Sequence, residues 1–82
     1  MRKIEQQMCL AIGQKRNMWV DNTRVEYHND AHGETAEVYL WGNHLGTYRY
    51  NQVKFFVNDE TYAKWPTRTT KSRLRALGVN ML

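Results

Sequence analysis

The sequence has little of the residues that crosslink a chain or interrupt its secondary structure. Its 82 residues include one cysteine and one proline, and no apolar run is longer than a few residues. The single cysteine, Cys9, excludes an internal disulfide and is typical of a reducing compartment. The lack of a long apolar run excludes a transmembrane helix, and the charged start lacks the apolar core of a signal peptide. The sequence therefore predicts a cytoplasmic protein with no membrane partner.

Acidic side chains are missing from the end of the chain. Residues 64–82 hold five basic side chains and no Asp or Glu, whereas the whole chain has twelve basic and eight acidic side chains and a net charge of +4. This modest excess favours an acidic partner, which is either a nucleic acid or an acidic protein surface. The length predicts a single domain over residues 1–82.

Helical periodicity is found at both ends of the chain. Apolar residues at helical spacing predict an amphipathic helix over residues 3–16. A short helical turn begins at Asp59 or Glu60 and ends before Pro66. A last helix over residues 71–77, capped by Thr69 or Thr70, is predicted to stop at Gly78.

Alternating residues between these helices indicate strands. The pattern predicts strands over residues 23–28, 35–41, 44–50 and 53–57. Gly42-Asn43 and the weaker Asn51-Gln52 are the predicted turns between the last three strands. The predicted fold class is α+β, an antiparallel sheet of three or four strands with an N-terminal and a C-terminal helix on one face.

The predicted turns divide the large residues between two sheet faces. One face collects Tyr39, Trp41, Tyr48, Tyr50, Val53, Phe55 and Val57. The other collects Val38, Leu40, Leu45, Thr47, Arg49, Lys54 and Phe56. We expect the first face to form the core under the helices, although its aromatic rings would also suit a stacking platform for single-stranded nucleic acid. The second face would then be open, with Arg49, Lys54 and Phe56 as partner-binding residues. A slip of one residue in either turn would exchange the faces.

The residues that most often carry chemistry are sparse. His28, Asp30 and His32 surround one predicted turn, but a zinc site needs further ligands, and an exposed turn explains them as well. Cys9 lies beside the apolar stripe of the first helix, where a free cysteine is usually a small core residue. No phosphate-binding loop or nucleophile elbow occurs. We therefore predict no enzymatic activity, no metal and no cofactor.

The basic segment over residues 67–75 is the sharpest local feature. Arg68, Lys71, Arg73 and Arg75 are predicted to form the chief electropositive patch. Hydroxyl side chains and the amides at a helix start also favour anions. A capped, solvated helix with Leu74 buried is the alternative interpretation.

Segments along nearly the whole chain resemble a group of short proteins encoded by bacteriophages. These segments are Lys-Ile-Glu-Gln-Gln-Met at residues 3–8 with Ala11-Ile12, Thr-Thr-Lys-Ser-Arg-Leu at residues 69–74 with Ala76-Leu77, Asn-Thr-Arg-Val at residues 22–25, and Val-Tyr-Leu at residues 38–40 before Gly42-Asn43. The resemblance implies a phage origin. Small phage proteins commonly bind a host enzyme, polymerase or defence complex and redirect it.

Two functions follow as predictions. The first is an accessory protein that binds and modulates a host protein complex of the transcription or anti-phage defence machinery. The alternative is a nucleic-acid-binding domain that uses the basic C-terminal helix. The order of elements is similar to that of a double-stranded-RNA-binding domain, but the basic cluster does not match that family.

Overall fold

The computed structural model describes residues 2–80. Its elements, in chain order, are α1 (Lys3–Gly13), β1 (Met18–Val20), β2 (Thr23–Asp30), β3 (Gly33–Leu40), β4 (Asn43–Arg49), β5 (Lys54–Val57), α2 (Asp59–Lys64) and α3 (Arg68–Ala76). None of the helices within these residues is long and apolar enough to cross a membrane.

The sheet is an antiparallel meander in which each strand pairs with the next one along the chain. It contains five strands within the described residues, so the prediction of three or four strands was short by one or two. The missed strand is β1, which is three residues long and pairs with the start of β2. Three residues are too few for an alternating pattern to stand out from the sequence.

Both terminal helices pack on the same face of the sheet, as predicted. Met8, Ala11 and Ile12 of α1 and Leu74 of α3 join one buried cluster. The sheet contributes the remaining members, which are Met18, Val25, Ala36, Val38, Leu45 and Phe55. Burying these side chains between a sheet and two helices gives the two-layer core typical of small α+β domains.

The helix ends differ from the predicted ones by a few residues. Helix α1 ends at Gly13 instead of residue 16, because Lys15 adopts φ 56° and the Arg16 N–H donates to the Ala11 carbonyl at 3.0 Å. This is the left-handed ending that terminates many helices. Helix α3 begins at Arg68, earlier than predicted, since the hydroxyl of Thr67 caps it by accepting the N–H of Thr70 at 3.2 Å.

The turn between β3 and β4 lies one residue earlier than predicted. Trp41 (φ 52°) and Gly42 (φ 78°) form it, and Leu40 pairs with Asn43. A bulge follows, in which Leu45 has no partner because Tyr39 pairs with His44 and Val38 with Gly46. Beyond the bulge the register is displaced by one residue from the predicted one, and a displacement by one exchanges the two faces of a strand.

The prediction for β3 was therefore wrong about its faces. Ala36, Val38 and Leu40 face the helices, whereas Tyr39 and Trp41 lie outside the core. This arrangement buries Val38 and Leu40, which the predicted register would have left exposed. Leu45 is buried as well, and Val53 is 75% exposed instead of belonging to the core.

The register between β4 and β5 is the predicted one. Tyr48 pairs with Phe55 and Gly46 with Val57, and the buried Phe55 ring packs over Gly46. A Cβ atom at Gly46 would lie 2.3 Å from the Phe56 carbonyl oxygen and 2.6 Å from Cζ of Phe55. Only glycine fits here, because such distances are far inside van der Waals contact.

A buried ion pair ties α3 to α1 and to β2. Nη1 of Arg73 donates to the Glu5 carboxylate at 2.7 Å, and Nε donates to the hydroxyl of Thr23 at 3.1 Å. Ser72 donates a further hydrogen bond to Glu5 at 2.5 Å. The side chains of Arg73 and Glu5 are each 4% exposed. Arg73 was predicted to be part of an exposed basic patch, but its orientation into the core gives it this structural partner.

Candidate functional site: the open face of the sheet

No helix covers the sheet face opposite the core within the described residues, and we call it the open face. Its side chains form three rows that cross the strands. The first row is Trp19, Arg24, Tyr39 and His44; the second is Glu26, Glu37, Thr47 and Phe56; the third is His28, Thr35, Arg49 and Lys54. The rows follow from the pairing, since directly paired residues share a face.

The first row holds an arginine between two aromatic rings. The guanidinium carbon of Arg24 lies 4.2 Å from the ring centroid of Tyr39 and 5.3 Å from that of Trp19. Stacking of this kind attracts the cation to the ring faces and restricts the side chain to one orientation. Trp19 itself is 73% exposed and lies on the edge strand β1.

Trp41 completes this group from the neighbouring turn. A shallow cavity of about 310 Å³ lies between Trp19, Arg24, Tyr39 and Trp41, with Asp21 at its side. Trp41 is 51% exposed. We call these four residues, Trp19, Arg24, Tyr39 and Trp41, the aromatic–arginine cluster.

Two carboxylates occupy the centre of the open face. Glu26 and Glu37 are directly paired across β2 and β3. Nε of Arg24 lies 3.3 Å from Glu26 without forming an aligned hydrogen bond, whereas Glu37 accepts hydrogen bonds from Nε2 of His44 at 2.6 Å and from the hydroxyl of Thr47 at 2.5 Å. These contacts offset the repulsion expected of like charges at directly opposite positions.

The far side of the open face carries a second, basic group. Cζ of Arg49 lies 5.6 Å from the ring centroid of Phe56, and Nζ of Lys54 lies 5.3 Å from it. Phe56 is 39% exposed. The open face thus has an aromatic surface at each side and carboxylates between them. This is the position at which Arg49, Lys54 and Phe56 were predicted to lie, and their role in binding stays a prediction.

Comparison with known proteins identifies the family. The family model described as Kyanoviridae Gp96 protein, a phage protein family, matches residues 1–81. The chain belongs to the Kyanoviridae Gp96 family. The predicted phage origin is thereby confirmed. No curated protein and no solved structure matches this chain.

The basic helix, α3, has three of its four predicted cations at the surface. Arg68 and Arg75 are exposed and Lys71 is half-buried, while Arg73 belongs to the buried ion pair. Thr69 and Thr70 lie in the first turn, and Thr70 is buried. Leu74 anchors the helix in the core, as expected of the inward position.

The histidines near the β2–β3 turn do not form a ligand set. Asp30 accepts the backbone N–H of His32 at 2.8 Å, and His28 lies 3.5 Å from Glu26. Among residues 2–80, no three His, Cys, Asp or Glu side chains are grouped closely enough to hold a metal ion. The Asp30 contact is the side-chain-to-backbone bond typical of tight turns.

Cys9 and His44 are engaged in structural contacts. Burial raises the pKa of the Cys9 thiol above its ordinary value of 9.0, and the thiol donates to the Ala76 carbonyl at 3.4 Å. His44 contacts Glu37 through Nε2 and Asn58 through Nδ1, the latter at 3.0 Å. Each ring nitrogen of His44 therefore has a partner within the protein.

The aromatic–arginine cluster was not predicted from the sequence. Trp19 and Arg24 are five residues apart and join only because β1 folds back onto β2. Tyr39 and Trp41 were assigned to the core by the displaced register. The sequence signal that would have found the cluster is the Trp-Val-Asp-Asn-Thr-Arg segment at residues 19–24, in which Asp-Asn is a turn dipeptide between two short β-forming pieces.

Proposed function

We propose that this protein is a phage accessory protein that binds and modulates a host protein complex in the host cytoplasm, and that it does so through the open face. The observation that carries the proposal is the aromatic–arginine cluster. We propose transcription or anti-phage defence machinery as the class of complex, on the basis of the phage origin. We expect no catalytic activity, since burial raises the pKa of the Cys9 thiol and so disfavours the thiolate that would act as a nucleophile.

The composition of the cluster supports protein binding. Trp, Tyr and Arg are the residue types that most often dominate the energy of protein interfaces. Nε of Arg24 is buried without a hydrogen-bond partner among the described residues, and two rings hold the guanidinium in place. Such a group loses little further side-chain freedom when a partner's carboxylate or carbonyl binds it.

The charge pattern favours a protein over a nucleic acid on this face. Glu26 and Glu37 lie between the two aromatic groups, so a phosphate backbone that crossed the face would pass over two carboxylates. Platforms for single-stranded nucleic acid combine stacking rings with a continuously positive path. Mixed charge around exposed aromatic residues is instead typical of a protein interface.

The test uses two exposed tryptophans as a matched pair. Trp19 is 73% exposed within the cluster, whereas Trp65 is 47% exposed in the segment between α2 and α3. Tagged wild type, Trp19→Ala, Arg24→Ala and Trp65→Ala are used to capture partners from nuclease-treated host lysate, and the captured protein is then titrated with each variant. We expect Trp19→Ala and Arg24→Ala to weaken binding by about tenfold or more, as hot-spot truncations do, and Trp65→Ala to bind as wild type.

Two results would contradict the proposal. One is a partner that binds all four proteins equally. The other is capture that disappears after nuclease treatment, which would identify nucleic acid as the bound species. Circular dichroism of each variant confirms that the fold is intact before affinities are compared.

A specific observation keeps the nucleic-acid alternative open. Arg68, Lys71 and Arg75 remain at the surface of α3, and residues 64–80 carry no carboxylate side chain. Neutralising several phosphates would make the affinity fall steeply with salt concentration. If α3 is the contact, Lys71→Glu with Arg75→Glu abolishes binding while Trp19→Ala has no effect.

A further inference from the structure

Strand β5 is an edge of the sheet with free backbone groups. The Asn58 N–H donates to the Leu45 carbonyl at 2.9 Å, so alternate residues of β5, Lys54 and Phe56, direct their backbone towards β4. Phe55 and Val57 therefore direct their N–H and C=O groups away from the sheet. Within residues 2–80, β5 pairs with β4 alone, and no turn or side chain hydrogen-bonds to these four groups.

The opposite edge of the sheet is partly blocked by a side chain. Strand β1 covers only the first part of β2, and the next outward N–H, that of Tyr27, donates to the side-chain oxygen of Asn17 at 2.7 Å. A side chain that takes up an edge amide blocks strand addition there. The contrast favours β5 as the edge at which another strand pairs.

A groove follows the free side of β5. Its volume is about 620 Å³, and it lies between β5 and the end of α3. Tyr48, Phe55, Val57, Leu77 and Val79 form its apolar part. Lys54 lies at one end of β5 and Asp59 follows the other.

We propose that this groove binds an extended segment of a partner protein, which pairs with β5 as a sixth, antiparallel strand. The pairing satisfies the N–H and C=O groups of Phe55 and Val57, as in other cases of strand addition to a free sheet edge. This site is separate from the aromatic–arginine cluster and does not depend on the function proposed for the open face.

The geometry specifies the sequence pattern of the segment. Its residues opposite Val57 and Phe55 face the same side as those two residues, towards Leu77 and Val79, so they are apolar. In an antiparallel segment the first residue lies near Asp59 and the last near Lys54. The segment therefore reads basic, apolar, any residue, apolar, acidic.

The test uses the capped peptide acetyl-Lys-Val-Thr-Val-Glu-amide, titrated into isotopically labelled protein and followed by NMR. We expect the largest shift changes at the amides of Phe55 and Val57, and slower hydrogen exchange at both. A peptide N-methylated at its two valines loses the donors that face β5 and binds about tenfold or more weakly. N-methylation of the threonine, whose N–H points away from β5, preserves affinity.

Charge exchange provides a second measurement. The double variant Lys54→Glu with Asp59→Lys reverses both exposed charges. We expect this variant to bind the first peptide more weakly and to bind acetyl-Glu-Val-Thr-Val-Lys-amide instead. If N-methylation of the threonine lowers the affinity of the peptide as much as N-methylation of the two valines does, the proposal is overturned, because that result excludes a paired strand. A concentration-dependent dimer with perturbed Phe55 and Val57 amides and no peptide binding would also overturn it, since the occupant would be a second copy of the chain.

Discussion

Removing Arg73 tests the buried ion pair that joins three elements of the fold. Arg73→Ala deletes its hydrogen bonds to Glu5 at 2.7 Å and Thr23 at 3.1 Å. The Glu5 carboxylate then loses its cationic partner at a position where the residue is only 3% exposed. Breaking a buried pair by removing one partner costs about 3–5 kcal/mol. Domains of this size are stable by only about 4–12 kcal/mol, so the loss is a large fraction of the total.

The assay is thermal and urea unfolding of matched variants. We expect Arg73→Ala to lower the melting temperature by about 12 °C or more, given a shift of about 4–8 °C per kcal/mol in small domains. Arg75→Ala is the control, because it removes the same side chain from the same helix at an exposed position and should change stability by about 0.5 kcal/mol or less.

A double replacement separates the cost of an orphaned charge from the value of the pair. Glu5→Leu with Arg73→Met replaces both charges by apolar side chains and should be more stable than Arg73→Met alone, since no buried carboxylate is left without its partner. The reasoning is refuted if Arg73→Ala and Arg75→Ala unfold at the same temperature. It is also refuted if the double variant is less stable than Arg73→Met.

Three further predictions concern the same fold. Gly46→Ala should destabilise the protein by about 1–3 kcal/mol in urea unfolding, since its Cβ would lie 2.3 Å from the Phe56 carbonyl oxygen, whereas Gly13→Ala meets no atom within 4 Å and should not destabilise it. Burial raises the pKa of Glu5, but hydrogen bonds from Ser72 and Arg73 lower it more, so the folded-state pKa lies below the ordinary 4.5. The stability that Glu5 contributes is thus complete above pH 4.5 and is lost as the pH falls through the folded-state pKa. The unfolding free energy of Glu5→Gln should therefore fall less with acid than that of the wild type. The hydrogen bond to Glu34 raises the pKa of Tyr27 to about 12, and Glu34→Gln should return it towards 10, measured by NMR of the ring carbons; an unchanged titration would exclude that bond.

The sequence predicted those parts of the fold that depend on local pattern. The helix stop at Gly78 and the β4–β5 register follow from residues close together in the chain. The β3–β4 turn was misplaced because Gly42-Asn43 looked like the better turn by residue preference, yet the core requires Val38 and Leu40 to face inward. Tertiary burial outweighed local turn chemistry, and the backbone accepted a tryptophan at positive φ as a result.

The candidate site was the less predictable part, for the same physical reason. Arg73 and Arg75 are both arginines on one basic helix, and only the packing of α3 against α1 and β2 decides that Arg73 is buried. Likewise, the stacking of Arg24 depends on a three-residue strand that no periodic pattern reveals. The contacts that distinguish structural from available charges are long-range, so composition predicts a basic protein but not which cations remain free.

The placement of the helices determines which face of the sheet is available to other molecules. Two terminal helices on one face leave the other face of a five-stranded sheet open, and an open antiparallel face usually carries polar side chains. Here it carries Trp19 and Phe56, whose exposure is unfavourable in water. Glu26 and Glu37 between them prevent one continuous apolar surface, which keeps the face from associating without selectivity. Separated aromatic groups with fixed charges between them select a partner by the spacing of its complementary groups. Glu37→Leu removes one of these charges, so it should increase the number of partners that bind before it increases the affinity for any one of them.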